Sequence, residues 1–456
     1  MKAFFFLFAL ASGLFAADRP PNVIIIFTDD QGYNDLSCFG SKTIHTPHLD
    51  RLATEGRKFT SFYVTSPVCS PSRSSLLTAS YPKRVGMHEH VLFPGYRHGL
   101  NPAEYSIADH FSAHGYATAC YGKWHLGHHP ETMPTAHGFD HYYGIPYSND
   151  MSYPDNKGLP RVHQDEHWLD PESTVTKWGA PLFEDTKLVE HPVDQRTITR
   201  RYTDRAIAFM EENKERPFFL YLPHSMPHIP LYVPEDVQDP DPKNAYKCVI
   251  EHIDAEVGRL VARLEELGLG EDTILLFTSD NGPWLRFKHH AGKADPLRAG
   301  KSTTFEGGQR VPAILWAPGR LPAGSSSDEI LSTLEVLPSF AAITETPLPD
   351  GLPPIDGLDA SGTFFGDKPS PREEFLYYSS RGDIEGIRRG DWKLLRKKRP
   401  KSEQAQILLF NLAEDIGERN NLAEKHPELV AELQARMLEL DEEIEANARP
   451  VLQVSK

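Results

Sequence analysis

Two apolar rhythms alternate along this chain. "PNVIIIFTDD" is an unbroken, β-branched run that stops at paired aspartates, the pattern of a strand buried on both faces of a parallel sheet. The same grammar then repeats. "SIADHFSAHG" spaces its apolar residues as a helix closed by Gly115, and the short strand "YATACY" follows it, running into "GKWHLG". A helix from about Thr197 to Asn213 precedes the strand at the start of "PFFLYLPHSMPHIP". "VIEHIDAEVGRLVARLEELG" keeps helical spacing up to Gly268 and leads into "DTILLFTSDNG". Helices alternating with buried strands predict an α/β fold on a large, mainly parallel central sheet. Ligands of such sheets sit beyond the carboxyl ends of the strands. Here that edge collects Asp29, Asp30, Lys123, His125, His228, Asp280 and Asn281.

Residues 18–346 are expected to form the catalytic domain, and the Pro-, Gly- and Asp-rich stretch 347–371 a connecting segment. Beyond it, "EFLYYSS", "EGIRRGDWKLLRKK" and "QILLFNL" read as short strands before a helix from Pro427 to Ala446. Residues 372–456 therefore predict a smaller α+β subdomain, an antiparallel sheet with a helix packed on it. The polar stretch 153–195 shows no clear rhythm. "MKAFFFLFALASGLFAA" has one Lys and a short apolar run ending in small residues, so residues 1–17 read as a secretory signal peptide and the protein as secreted or periplasmic. Leu14 or Phe15 fits the cleavage site poorly, which leaves a retained anchor as the alternative. No other segment is apolar enough to span a membrane.

The formal charge of −16, which becomes −17 once Lys2 is removed, argues against nucleic acid or an anionic membrane as partner. An anionic small substrate fits if cations gather locally. Cys38, Cys69, Cys120 and Cys248 are too few and too scattered for a disulfide framework, and none has CxxC spacing.

Adjacent acids at a buried strand end repel unless a cation neutralises them or one keeps its proton. Asp29-Asp30 and Asp280-Asn281, at two such ends, make a hard oxygen set that suits Ca²⁺ or Mg²⁺ better than zinc. Lys123 and His125 are two apart, so an extended segment projects both to one face. Lys301 precedes a Gly-rich turn, and His228 lies in "MPHIPL" between stiff prolines. Such a set of cations beside a dication is a receptor for a tetrahedral dianion. In "SPVCSPSRSSLLTAS", Pro71 places Cys69 just before a helix N-terminus, where free N–H groups lower a thiol's pKa, with Arg73 one turn on. Cys69 is thus a candidate nucleophile. A thiolate is nevertheless a poor neighbour for a hard cation, and no oriented base lies nearby in sequence.

Cys69-Ser70-Pro71-Ser72-Arg73, continuing through Leu77-Thr78, resembles the C-x-P-S-R signature of the type I sulfatases, in which the Cys is oxidised to formylglycine. "HTPHLDRLATEG", "GYATACYGKWHLG", "HGFDHYYG", "PHIP", "FTSDNG" and "GKSTTFEGGQRVP" follow in that family's order, in an arrangement similar to its arylsulfatase A-like branch. The resemblance implies an alkaline-phosphatase-like fold. It implies one Ca²⁺ held by Asp29, Asp30, Asp280, Asn281 and modified residue 69, with Lys123, Lys301 and His228 on the sulfate and leaving oxygen. It further implies His125 as base, Arg73 as support for residue 69, Ser148 as another sulfate contact, and a formylglycine-generating maturation enzyme as partner. Ala79 stands where the signature usually has Gly, and His48 where Asn is usual.

A hydrated aldehyde at residue 69 offers one hydroxyl to attack sulfur and keeps a second whose deprotonation expels sulfate. A thiol or serine lacks that second group. The implied function is hydrolysis of an aryl or carbohydrate sulfate ester to an alcohol and inorganic sulfate. The alternatives are a phosphonate or phosphate ester hydrolase on the same fold, and a non-catalytic protein that binds sulfated glycans. Trp168, Trp178, Trp284, Arg286, His289 and His290 are expected to face the leaving group.

Overall fold

A computed structural model describes residues 19–154, 164–170, 179–398 and 405–455. The expected signal segment and Trp178 lie outside these residues. The first strands are β1 (Asn22–Thr28), β2 (Arg57–Tyr63), β3 (His98–Gly99), β4 (Ala117–Tyr121), β5 (His141–Gly144), β6 (Leu182–Glu184), β7 (Lys187–Glu190) and β8 (Phe218–Pro223). They continue with β9 (Thr273–Ser279), β10 (Arg310–Trp316), β11 (Ser325–Ser327) and β12 (Leu331–Ser332). Among the described residues, eleven of these make one sheet in the order β11-β2-β10-β9-β1-β8-β4-β5-β6-β7, with β12 also beside β2.

The middle of the sheet, β9-β1-β8-β4-β5, is wholly parallel. As expected from the sequence, the long apolar runs occupy it. β1 alternates between two cores: Ile24 and Ile26 face one, and Val23, Ile25 and Phe27 the other. All five are fully buried, each worth about 1.5–3 kcal/mol relative to exposure. The helices Gln195–Glu212 and Ala245–Glu266 cover the first face; Cys69–Thr78, Ile107–Ala113 and Val336–Ile343 cover the second.

Several strands escape the sequence reading, and two of them change the topology. β10 runs antiparallel between β9 and β2, which makes the sheet mixed. Its pattern is broken by Pro312, which sits where the β10–β2 register shifts, one of the few places a sheet tolerates proline. The "EGIRRGDWKLLRKK" stretch proves to be two strands that turn at Gly390 (φ 55°). With them, β13 (Glu374–Tyr378), β14 (Ile384–Arg389), β15 (Trp392–Lys397) and β16 (Gln406–Asn411) form a separate antiparallel sheet. The helix Pro427–Ala446 packs on it through Leu433, Met437 and Ile444. A last strand, β17 (Leu452–Gln453), pairs with β3 and ties the end of the chain back to the large domain. All four cysteines are free thiols. Among the described residues no helix is long and apolar enough to cross a membrane.

Candidate active site

The carboxyl ends of β1, β9, β4 and β8 deliver Asp29 and Asp30, Asp280 and Asn281, Lys123, and the turn carrying His228, all to one buried place. Cys69 joins them as the first residue of the Cys69–Thr78 helix, with Val68 as N-cap. Ligand atoms of Asp29, Asp30, Asp280 and Cys69 all lie within 4.8 Å of one another. Each acid has a cationic partner. Lys123 Nζ donates to Asp29 Oδ2 at 2.6 Å, Lys301 Nζ lies 2.6 Å from Asp30 Oδ1, and Arg73 grips Asp280 Oδ2 through Nε (3.0 Å) and Nη2 (2.7 Å). Arg73 also donates from Nη1 to the Lys123 carbonyl at 2.9 Å. It therefore braces two strand ends as well as the helix that carries Cys69.

Burial is near complete here, and it governs protonation. It raises the pKa of Asp30 and Asp280. Burial acts on Asp29 in the same sense, but Lys123, His228 and Arg73 outweigh it and hold that carboxyl low. Two acids that resist ionisation beside a third that is ionised call for further positive charge. Asn281 gives the same signal: its Nδ2 donates to Asp30 Oδ1 at 2.7 Å, leaving a buried Oδ1 with no partner among the described residues. Three carboxylates and a free amide oxygen fit a hard dication.

The thiol departs from the sequence expectation. Burial pushes Cys69 far up rather than down, so desolvation overrides the helix N-terminus. Its Sγ lies 3.5 Å from both Asp29 Oδ1 and Lys301 Nζ. The Lys123–His125 stretch is also not extended, since His125 sits at φ 64°. Lys123 still enters the site, while His125 Nε2 donates to the Leu92 carbonyl at 2.9 Å and its buried Nδ1 has no partner among the described residues. Burial, then Lys123, keeps His125 well below the usual histidine range. Burial, then Lys301, brings His228 down to about 4. Ser148 Oγ lies 3.4 Å from Lys123 Nζ and 3.3 Å from the His228 ring, and His228 Nδ1 donates to the Ile229 carbonyl at 2.5 Å, with Asn149 Oδ1 at 3.1 Å.

Backbone strain collects in the same place. Asp30 (φ 64°), His125 and Ser302 (φ 69°), next to Lys301, are all left-handed without being glycine, as happens where a surrounding scaffold over-determines a site. Ala79 is a fourth case: it caps the Cys69–Thr78 helix at φ 51°. Such a conformation costs an L-residue about 1–2 kcal/mol, which explains glycine as the usual residue there.

The outer residues divide. Trp284 meets the site, with Lys301 Nζ 4.5 Å from its ring centre and the His228 ring at 5.4 Å. Arg286 is exposed. Trp168 is a core residue instead, 2% exposed, and donates from Nε1 to the Asp239 carbonyl. His289 and His290 converge on Asp165 Oδ1 at 2.6 and 2.8 Å.

Glu306 is a buried charged residue that the sequence reading does not single out, although the "GKSTTFEGGQRVP" run contains it. It is fully buried behind Lys301 and accepts from Tyr63 Oη (2.6 Å), Tyr377 Oη (2.9 Å), Lys393 Nζ (2.8 Å) and Arg310 Nη1 (3.2 Å). Its own amide donates to Glu418 Oε2 at 2.7 Å. Tyr377, Lys393 and Glu418 belong to the C-terminal part of the chain, so this cluster fastens the small sheet to the loop that presents Lys301. A glutamate before two glycines is the only signal in the sequence.

Comparison with known proteins identifies the family. The Sulfatase family matches residues 21–346. Arylsulfatase A of Homo sapiens is 37% identical over 402 residues, covering 85% of this chain and 76% of its own. Arylsulfatase G of Rattus norvegicus is 34% identical over 457 residues, covering 91% and 85%. The crystal structure of Ps i-CgsB in complex with k-i-k-neocarrahexaose superposes with a TM-score of 0.78 at 29% identity, covering 92% of this chain and 93% of its own. The chain belongs to the sulfatase family, in its arylsulfatase A-like branch, and is a hydrolase of sulfate esters.

Proposed function

We propose that this sulfatase cuts the sulfate ester of a saccharide or aryl alcohol with a formylglycine made from Cys69 and one Ca²⁺ held by Asp29, Asp30, Asp280 and Asn281. The observation that carries the reading is the unpartnered Asn281 Oδ1 among three buried carboxylates, within reach of Cys69. When present, the two groups supply a geminal pair of hydroxyls as nucleophile and a fixed positive charge against the sulfate oxygens.

In this reading the remaining work falls to the chain's own side chains. Lys123 and Lys301 bind the non-bridging sulfate oxygens from opposite sides, each held in place by its aspartate. Arg73 keeps Asp280 and the Lys123 turn rigid. His125 is neutral, and its Nε2–H is committed to Leu92, so Nδ1 carries the free lone pair that takes a proton from residue 69. His228 Nε2 faces the leaving oxygen, oriented by its Nδ1 bond to the Ile229 carbonyl with Asn149 beside it, and Ser148 links it to Lys123. Saccharide leaving groups have support in the carrahexaose complex of Ps i-CgsB. Export by the N-terminal segment and oxidation by a separate maturation enzyme complete the proposal.

The test is mass spectrometry of the peptide holding residue 69, paired with sulfate release. Protein made beside a formylglycine-generating enzyme is expected to carry the aldehyde and turn over an aryl sulfate, while Cys69→Ser and Cys69→Ala release none. Equal turnover from protein with an intact thiol refutes the mechanism.

A further inference from the structure

We infer that a lysine-lined cavity, built from the segments that continue the active-site strand ends and loop, binds a second anionic group on the substrate, which makes the natural substrate a saccharide bearing at least two sulfates or carboxylates. This inference rests on the sulfatase reading of the Cys69 site, and its test separates the two.

The cavity encloses about 510 Å³ and is lined by Lys42, Lys243, Lys247, Lys288 and Lys293. In a chain of net charge −16 such a concentration of cations has to be explained. Only Lys247 has a carboxylate partner among the described residues, Glu251 at 3.8 Å. The other four are exposed and make no ion pair there. Two aspartates share the wall. Asp35 is buried and accepts from the Gly32 amide (2.7 Å), the Lys293 amide (2.8 Å) and Tyr246 Oη (2.7 Å), and of the lysine heads Lys293 acts on its charge. Asp295 is exposed at the rim. Two lining carboxylates, Asp35 and Asp295, against five lysines leave a concave receptor with an excess of positive charge.

Its walls are the outward continuations of the catalytic segments. Asn34 and Asp35 follow the metal-site aspartates by a few residues, and Lys288 and Lys293 lie between Trp284, at the site, and Lys301, within it. These two segments are locked together. A Cβ on Gly32 would fall 2.3 Å from the Lys293 carbonyl oxygen, and one on Gly292 would fall 1.9 Å from Asp35 Oδ2. The cavity is therefore held at a fixed position relative to the reacting centre, as a subsite for one extended ligand must be. Lysine heads act as point charges without a planar fork, so they suit sulfates and carboxylates presented in more than one orientation. A long polyanion such as nucleic acid meets net repulsion from the rest of the surface. A short anionic saccharide does not.

The experiment combines binding and turnover. The variant carries Lys42→Gln, Lys243→Gln, Lys288→Gln and Lys293→Gln, all exposed, and its thermal midpoint should match the parent. Hexasaccharides from heparin, chondroitin sulfate and carrageenan are titrated calorimetrically into Cys69→Ser protein. At least one is expected to bind, and the four substitutions are expected to weaken it roughly tenfold, because four partly exposed charge interactions are removed together. In matured enzyme the same variant should raise KM for that hexasaccharide by a similar factor while kcat/KM for a monosulfated nitrophenyl ester stays within about twofold. The inference is overturned if no hexasaccharide binds, if binding ignores the substitutions, if both substrates lose activity in parallel, or if inorganic phosphate competes as strongly per charge as the saccharide. Lysine-dependent saccharide binding by matured protein that cleaves no sulfate ester would defeat the catalytic reading and leave the cavity's assignment standing.

Discussion

Glu306→Gln removes one negative charge from a fully buried cluster and leaves its shape almost unchanged. In the wild type the carboxylate faces Lys393 Nζ at 2.8 Å and Arg310 Nη1 at 3.2 Å, and it accepts from two tyrosine hydroxyls. Breaking a buried ion pair by neutralising one member costs about 3–5 kcal/mol, because the other charge stays buried. Lys393 keeps Glu418 at 2.8 Å, and the glutamine oxygen still accepts one bond, which places the loss at the low end, about 3 kcal/mol. That corresponds to a fall in thermal midpoint of about 6 °C at roughly 2 °C per kcal/mol. The sign with pH is fixed as well. Burial would raise the Glu306 carboxyl, but Lys393, Arg310 and Arg388 outweigh it and hold it far below the usual range. Its contribution is therefore present above the ordinary glutamate pKa and disappears as pH falls below it. Urea denaturation of both proteins from pH 4 to 8 is the assay. The difference should be flat from pH 5 upward and shrink below about 4.5. Because Lys301 sits on the same turn, kcat/KM should fall with it. A difference under about 1 kcal/mol at pH 7, or one that grows on acidification, refutes the assignment of Glu306 as the ionised anchor of this turn.

Two further outcomes are expected. Chelation should abolish sulfate release and lower the thermal midpoint, since an ion at one hundred times its Kd stabilises by about 2.7 kcal/mol; Ca²⁺ should restore both, and Asp30→Asn should remove the calcium-dependent shift. His137 is buried with neither ring nitrogen partnered among the described residues, and burial lowers it to about 3. Below pH 6.5 the unfolded chain takes up a proton at this imidazole and the folded chain does not, which lowers stability by about 2 kcal/mol by pH 5, so His137→Leu should flatten the loss of stability between pH 6.5 and 5 in the same urea assay.

Much of this is legible in the sequence because the site is built from strand ends. A buried parallel strand announces itself as an apolar run, and the polar residue that stops it lies at the edge where ligands bind. Asp29, Asp280, Lys123 and His228 can be found in that way before any contact is known. Local environment is what the sequence conceals. The helix start at Cys69 suggests a lowered thiol, but only the tertiary structure shows that desolvation dominates. An i, i+2 spacing suggests an extended Lys123–His125 pair, yet a left-handed His125 turns one ring toward Leu92. Trp168 carries the composition of a binding residue and is in fact packed against the 239 region. The Glu306 cluster draws its members from residues 63 to 418, and no window of sequence contains it.

Charge accounting connects the two ends of the molecule. Around residue 69, Asp29, Asp30 and Asp280 are matched one for one by Lys123, Lys301 and Arg73, and both nearby histidines are held neutral. Counted as ionised, this set of three acids and three cations sums to zero. With the proposed Ca²⁺ it carries two positive charges, the complement of the sulfate dianion that leaves. In the proposed mechanism the lysines are neither free cations nor simple partners of the acids: each is positioned by an aspartate that the metal would share. Lys301 is the member most exposed to disturbance, because it comes from a loop and not from a strand end. That loop is the one the C-terminal sheet fastens through Glu306 and Lys393. In the proposed mechanism the small sheet therefore acts at a distance, by fastening the loop from which Lys301 reaches Asp30.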